Sequence, residues 1–150
     1  MNESYAKITE RKLIFEVYVT INPEEIRSFR GPAGEVVSIP FGGTVAGEKF
    51  NGVVCPGGVD TQRVNLSGIR HMSARYVLEG TDSSGEHCHI FVENNGWFDK
   101  SGKPEVPFKT VPTFVTDSKV LAPYLHQNKF VGEGHPNERG VTIKFFEILN

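Results

Sequence analysis

Apolar and polar residues alternate along much of this chain. Between Lys12 and Ile21, the residues Leu13, Phe15, Val17, Val19 and Ile21 recur at every second position. Successive side chains of a strand point to opposite faces, so this period marks a strand with one strongly apolar face. From His71 to Glu79 the same rhythm places Met72, Ala74, Tyr76 and Leu78 on one face. His71, Ser73, Arg75, Val77 and Glu79 share the other. "EHCHIFVEN" predicts the partner strand across the loop-forming "TDSSGE", and "ENNGW" predicts a turn that ends it. "EVVSIPF", "GTVAGEKFNGVV", "VPFKTVPTFVT" and "RGVTIKFFEIL" predict further strands. Two prolines in the third of these favour an edge or a bulge, and Gly42-Gly43 opens a new segment after "EVVSIPF".

Helical signals are short. Asn22 is suited to cap one turn that starts at Pro23 and ends by Gly31-Pro32 and Gly34. A second short helix is predicted around Ser118 to Leu125, interrupted by Pro123. Long helices do not alternate with strands, which argues against a parallel α/β fold. Many short strands separated by Gly and Pro predict an all-β, antiparallel barrel with a few short helices, formed by residues 1–150 as a single domain. Glycine kinks help such a sheet bend until it closes, and closure removes exposed edges.

Composition narrows the function classes. Sixteen basic and 18 acidic residues give a net charge of -2, and no basic block stands out, which argues against a nucleic-acid partner. Cys55 and Cys88 show no metal or redox spacing and fit a reducing compartment. "MNESYAKITERK" lacks the apolar core of a signal peptide, and no run is long enough for a membrane-spanning helix. Together these predict a cytoplasmic protein. No P-loop, Gly-x-Gly-x-x-Gly or Gly-x-Ser-x-Gly occurs, so nothing calls for a cofactor.

The candidate chemistry centres on "VVCPGGVDTQ". An apolar run stops at Pro56-Gly57-Gly58 and then presents Asp60 and Gln62. Glycines permit a close backbone approach, so Asp60 is aimed at a barrel mouth, where a carboxylate in a partly dry pocket serves as a general base. The alternative is that Asp60 accepts hydrogen bonds from the turn amides around it. Arg75 offers a planar fork for a carboxylate or a developing oxyanion. Its alternatives are solvent exposure or an ion pair with Asp60 or Glu93. Glu93 beside Trp97 offers an acid of raised pKa, or a solvated carboxylate next to a ring that covers a barrel end. His71 and His89, with Gln62, Glu93 and Trp97, complete the candidate ligand contacts. His87 and His89 share a strand face as a His-x-His pair with Glu93 or His71 as a third ligand, but surface histidines explain this spacing better and no metal is assigned. Tyr76 and Tyr124 either bond a ligand or fill the core, and Tyr76 shares its face with Met72 and Leu78.

Four stretches carry a family likeness. They are "IPFGGTVAGEKFNGVVCPGGVDTQ", "ARYVLEGTDSSGEHCHIFVENNG", "VPTFVTDSKVLAPYLHQNKFVGEG" and "VTIKFFEI". In these the chain resembles the bacterial and fungal domain-of-unknown-function family 3237, most specifically through Gly-Gly-x-Asp, Ala-Arg-Tyr and the closing "FVGEG". The resemblance implies a small antiparallel β-barrel and no established reaction.

Two functions are consistent with these residues. One is a cofactor-independent isomerase, cyclase or lyase for a small carbonyl compound, with Asp60 as base or acid and Arg75 on the oxyanion. The other is a non-catalytic ligand-binding or self-associating barrel. A homodimer is expected because Ile14, Tyr18, Phe145 and Phe146 place apolar groups on both faces of their strands.

Overall fold

The computed structural model describes residues 10–98 and 107–149. Residues 1–9, which carry most of the N-terminal stretch read against a signal peptide, lie outside the described residues. Ten strands follow in chain order: β1 (Arg11–Ile21), β2 (Arg27–Gly31), β3 (Gly34–Ala46), β4 (Phe50–Val54), β5 (Val59–Val64), β6 (Arg70–Asp82), β7 (His87–Trp97), β8 (Phe108–Thr116), β9 (Phe130–Asn137) and β10 (Gly140–Ile148). They form one antiparallel sheet in which β1 pairs with both β10 and β3, so the sheet closes into the expected barrel. Strands β4 and β5 lie end to end between β3 and β6. The wall therefore has eight positions, and β2 extends beyond it as an arm on β3.

The join between β4 and β5 explains "CPGGVD". Along β3, Thr44 faces Val53 and Pro40 faces Val59, so four steps on β3 are matched by six on its neighbour. Cys55 to Gly58 thus form a bulge of two extra residues within one long wall strand. Gly57 has φ +103°, a left-handed conformation that other residues adopt at a cost. A side chain on Gly58 would meet Phe41 O, Tyr76 Cβ and Val54 Cγ1, each at 3.2 Å. Two extra residues preserve the alternation, so Val54 before the bulge and Asp60 after it both face inward.

Several local expectations are corrected. Strand β3 runs unbroken through Gly42-Gly43 because β1 pairs along it there. "ENNGW" is not a turn: β7 continues to Trp97 because β6 pairs with it as far as His71. The first helical turn shrinks to a 3-10 turn, Pro23–Glu25, with Asn22 Oδ1 accepting from the Glu24 N–H. The residues after it form the β2–β3 hairpin instead, with Gly31 opposite Gly34. Helix α1 (Ala122–Leu125) has Pro123 in its first turn, where no intrahelical N–H is required. Pro112 lies where β8 has parted from β9, whose pairing stops at Thr110, and α1 packs against β8.

The two-faced pattern of β1 also resolves differently. A register shift between Leu13 and Phe15 opposite β10 turns both Ile14 and Phe15 inward. Phe145 is buried as well, while Tyr18 stays exposed and the Arg11 guanidinium covers the Phe146 ring at 4.0 Å. Ile14 and Phe145 therefore belong to the core and offer no outer surface to a second copy.

The barrel interior has two unlike halves. In one, Phe15, Phe114 and Phe145 form an edge-to-face triangle with centroids 5.3–5.7 Å apart. Phe50 and Phe130 extend it, with Leu78 and Ile90 filling the remaining space. Aromatic rings bury large area and prefer this tilted packing. The other half holds Val19, Ile39, Phe41, Met72 and Ile143 around a void.

Candidate functional site

Strand alternation decides which candidates meet. Asp60 pairs with Ala74 and Gln62 pairs with Met72, so both face inward beside the apolar face of β6. Asp60, Tyr76 and Asn94 line one cavity of about 50 Å³ with Val19, Ile21 and Phe41 among its apolar walls. Asn94 reaches it because Ala74 is its partner across the ladder. Asp60 Oδ1, Tyr76 Oη and Asn94 Oδ1 are buried without hydrogen-bond partners. A buried polar atom with no partner costs about 1–3 kcal/mol, so three around one void form a concentrated demand for something polar.

Asp60 is held through Oδ2, and the Ser73 backbone also favours its charged form. Gln62 Nε2 donates to Asp60 Oδ2 at 2.8 Å, and Arg70 Nη1 donates to Gln62 Oε1 at 2.8 Å. Arg70 in turn faces Glu35 at 3.8 Å. This relay runs through partly buried side chains and fixes Oδ2, leaving Oδ1 free. Burial pushes the Asp60 carboxyl above its ordinary value, although Gln62, the Ser73 backbone and the charges of Arg70 and His71 oppose the shift. Burial, reinforced by the Asp60 charge, also raises the Tyr76 phenol far above its usual range, so Tyr76 stays protonated and its hydroxyl is free to donate.

Arg75 is not part of this site. It pairs with Val59 on β5 and Glu93 on β7, which puts it on the outer face, opposite in pleat to Asp60. Its side chain is 65% exposed, and Nε meets Glu93 Oε2 at 3.3 Å. The expected shared site of Asp60 and Arg75 is therefore corrected. The apolar face of β6 is the interior of the barrel, and Arg75 lies on the other face. Glu93 is bound in the same outer pair, four residues along β7 from Trp97.

The remaining candidates are also outside. His71 pairs with Trp97 in the ladder and their rings meet at a tilt, centroids 4.4 Å apart. Trp97 is 68% exposed and covers no barrel end. With Phe29 and Arg63 these two rings line a shallow outer groove of about 560 Å³. His89 faces outward near the β6–β7 turn, opposite Glu79. Tyr124 bonds Glu147 through its hydroxyl and packs on Phe130. Of the candidate ligand contacts, Gln62 alone joins Asp60, while Tyr76 and Asn94 complete the site. Asn94 was concealed by its reading as a turn, yet it continues the inward series Cys88, Ile90 and Val92 at period two.

Comparison with known proteins agrees with this architecture. The profile of the DUF3237 family, proteins of unknown function, matches residues 10–148. The chain belongs to the DUF3237 family. It is similar to the UPF0311 protein of Clostridium acetobutylicum, with 31% identity over 149 residues, covering 90% of this chain and 91% of that one. A crystal structure from the same organism, of a protein with unknown function, shares 30% identity at a TM-score of 0.74, covering 93% of this chain and 99% of that chain. A crystal structure described as an enzyme from Penicillium herquei has the same fold at a TM-score of 0.65 and 19% identity, covering 97% of this chain and 98% of that chain. Among the described residues, no helix is long and apolar enough to cross a membrane.

Proposed function

We propose that this DUF3237 member binds a small carbonyl compound in the barrel interior and moves a proton on it, without a cofactor. The observation that carries this reading is the pairing of a partnerless Asp60 Oδ1 with a partnerless Tyr76 hydroxyl in one apolar cavity. A general base works best when its pKa is raised toward the working pH, and burial does this for Asp60. Tyr76 supplies the hydrogen bond to oxygen that the sequence reading assigned to Arg75. In the step these groups suit, Asp60 Oδ1 takes a proton from the carbon next to the carbonyl. The electron pair moves onto the carbonyl oxygen, where Tyr76 donates. Where the compound carries a β,γ double bond, Asp60 then returns the proton at the γ carbon and the double bond moves into conjugation, giving an isomer.

The cavity is much smaller than the hundreds of Å³ of a typical ligand pocket, and holds a few waters at most. Only the reacting end of a ligand fits inside unless the partly buried mouth residues Ile21, Phe108 and Val141 move aside. This tightness favours, as a second reading, a non-catalytic barrel whose interior holds a small polar guest. That the Penicillium herquei protein is described as an enzyme is compatible with chemistry on this fold but assigns none to this chain.

Proton exchange in D2O separates the readings. Small ketones and conjugated enones are incubated with protein, and loss of their α-proton signals is followed by NMR. Wild type is expected to accelerate exchange of at least one probe, and Asp60→Asn to abolish it while remaining folded. Binding without exchange favours the non-catalytic barrel. Exchange that persists in Asp60→Asn removes Asp60 as the base.

A further inference from the structure

On the outside of the wall, the β6–β7 hairpin brings two imidazoles and a carboxylate together. Glu79 lies directly opposite His89, and His87 is two residues earlier on the same face. One ligand atom from each lies within 4.8 Å of the other two. Glu79 Oε2 is 2.8 Å from His87 Nε2 and 3.8 Å from His89 Nε2. Donors around one tetrahedral zinc, each about 2.0–2.1 Å from the metal, stand roughly 3.3 Å apart. The two distances bracket that separation, so small side-chain rotations would complete the geometry.

A second observation points to a ligand. The Asp117 carboxylate, just beyond β8, accepts from the His89 backbone N–H at 2.6 Å and lies 2.9 Å from His89 Nδ1. The Thr116 hydroxyl donates to the His89 carbonyl at 2.7 Å. These contacts turn Nδ1 toward the Asp117 carboxylate and leave Nε2 facing Glu79. Histidines that bind metals are oriented in this way, by a carboxylate on the nitrogen away from the ion. An exposed histidine on a strand has no need of such support. The His-x-His spacing alone leaves Glu93 or His71 as the third ligand. Glu93 is paired with Arg75 and His71 packs against Trp97, whereas Glu79 is in place.

The geometry points to a Zn2+ site in which Glu79, His87 and His89 are the protein ligands, Asp117 orients His89, and water takes the fourth position. Two nitrogens and one oxygen suit zinc, whereas Ca2+ and Mg2+ require mostly oxygen donors. The Cys55 thiol, on the β4–β5 bulge, lies 3.7 Å from the other Glu79 oxygen and stays outside the coordination sphere. The site is on the opposite face from Asp60 and is independent of the proposed proton transfer.

The test uses the full chain freed of any affinity tag, titrated with Zn2+ against a chromophoric chelator. One Zn2+ per chain is expected, bound at least tenfold more tightly than in either His87→Ala or His89→Ala. Asp117→Asn should weaken binding by about 10–100-fold, the usual effect of removing an orienting carboxylate. Cys55→Ser should leave affinity unchanged, and Co2+ in place of Zn2+ should give the intense visible bands of tetrahedral coordination. Equal affinity in wild type and the His87→Ala/His89→Ala double variant overturns the site, as does a six-coordinate Co2+ spectrum. A tenfold loss in Cys55→Ser overturns the open fourth position. The histidine side chains are exposed, so melting curves of their variants should match wild type, and the test stands on them should Asp117→Asn fail to fold.

Discussion

One half of the barrel interior is full and the other is not. Around Phe15, Phe114 and Phe145 the interior is mainly apolar and rings meet edge to face, with the buried Thr110 beside Phe145 a polar exception. Around Asp60, Tyr76 and Asn94 the same barrel leaves a void and three polar atoms without partners. Both halves are built from the same strands. On β6, Leu78 faces the packed half and Ala74 the hollow one, with Tyr76 between them. Stability gained by packing in one region sustains the cost of unsatisfied groups in the other, a division seen where proteins hold strained or polar sites for function.

The largest effect should come from damaging the packed half. Phe145→Ala removes one corner of the aromatic triangle and should destabilise by about 3–5 kcal/mol, read from urea or thermal unfolding. A loss below about 1 kcal/mol would mean that this half is not the one that holds the barrel together.

Next comes the charge in the hollow half. On unfolding, the Asp60 carboxyl returns to its ordinary value of 3.8 from a raised one. Between those values the native chain carries more protons than the unfolded chain, so Asp60 makes stability fall as pH rises through that window. Asp60→Asn removes this fall. The variant should gain on wild type as pH increases, measured by urea titrations at about pH 4 and about pH 8. A variant that instead loses ground toward high pH would show that the Asp60 carboxylate is well solvated or paired.

The smallest effect sharpens the contrast most. Tyr76→Phe deletes a buried hydroxyl that lacks a partner and keeps the ring that packs on Phe41 at 5.0 Å. Stability should stay level or rise by about 1 kcal/mol, since an unsatisfied donor is removed. Proton exchange on the responsive ketone should fall with it. A clear loss of stability would mean that the hydroxyl is bonded in the folded protein and the two halves are less different than they look.

Much of this was legible beforehand. Period two in Leu13–Ile21 and Met72–Leu78 marks the strands, and it places Tyr76 among the inward residues. The same alternation sets Arg75 apart from Met72, Ala74 and Tyr76. The expectation that Arg75 shares a site with Asp60 runs against that signal, because a small barrel in water turns its apolar face inward. What could not be read was register. The pairing of Asp60 with Ala74 depends on a two-residue bulge whose length no local pattern specifies. Glu79 and His89 likewise become neighbours only once the hairpin turn fixes which residues of β6 and β7 face each other.

That bulge behaves like a reading frame. Cys55 to Gly58 hold an even surplus, and every inward residue of β5 is inward because the surplus is even. Losing one residue there would not shorten a loop; it would transpose the message downstream of it. Val59, Thr61 and Arg63 would be translated into the interior, and Asp60 and Gln62 would be written onto the outside. Losing two would restore the frame and flatten the strand. Among relatives, length changes at this point should therefore come in pairs, and an odd change should mark a chain whose barrel interior has a different chemistry.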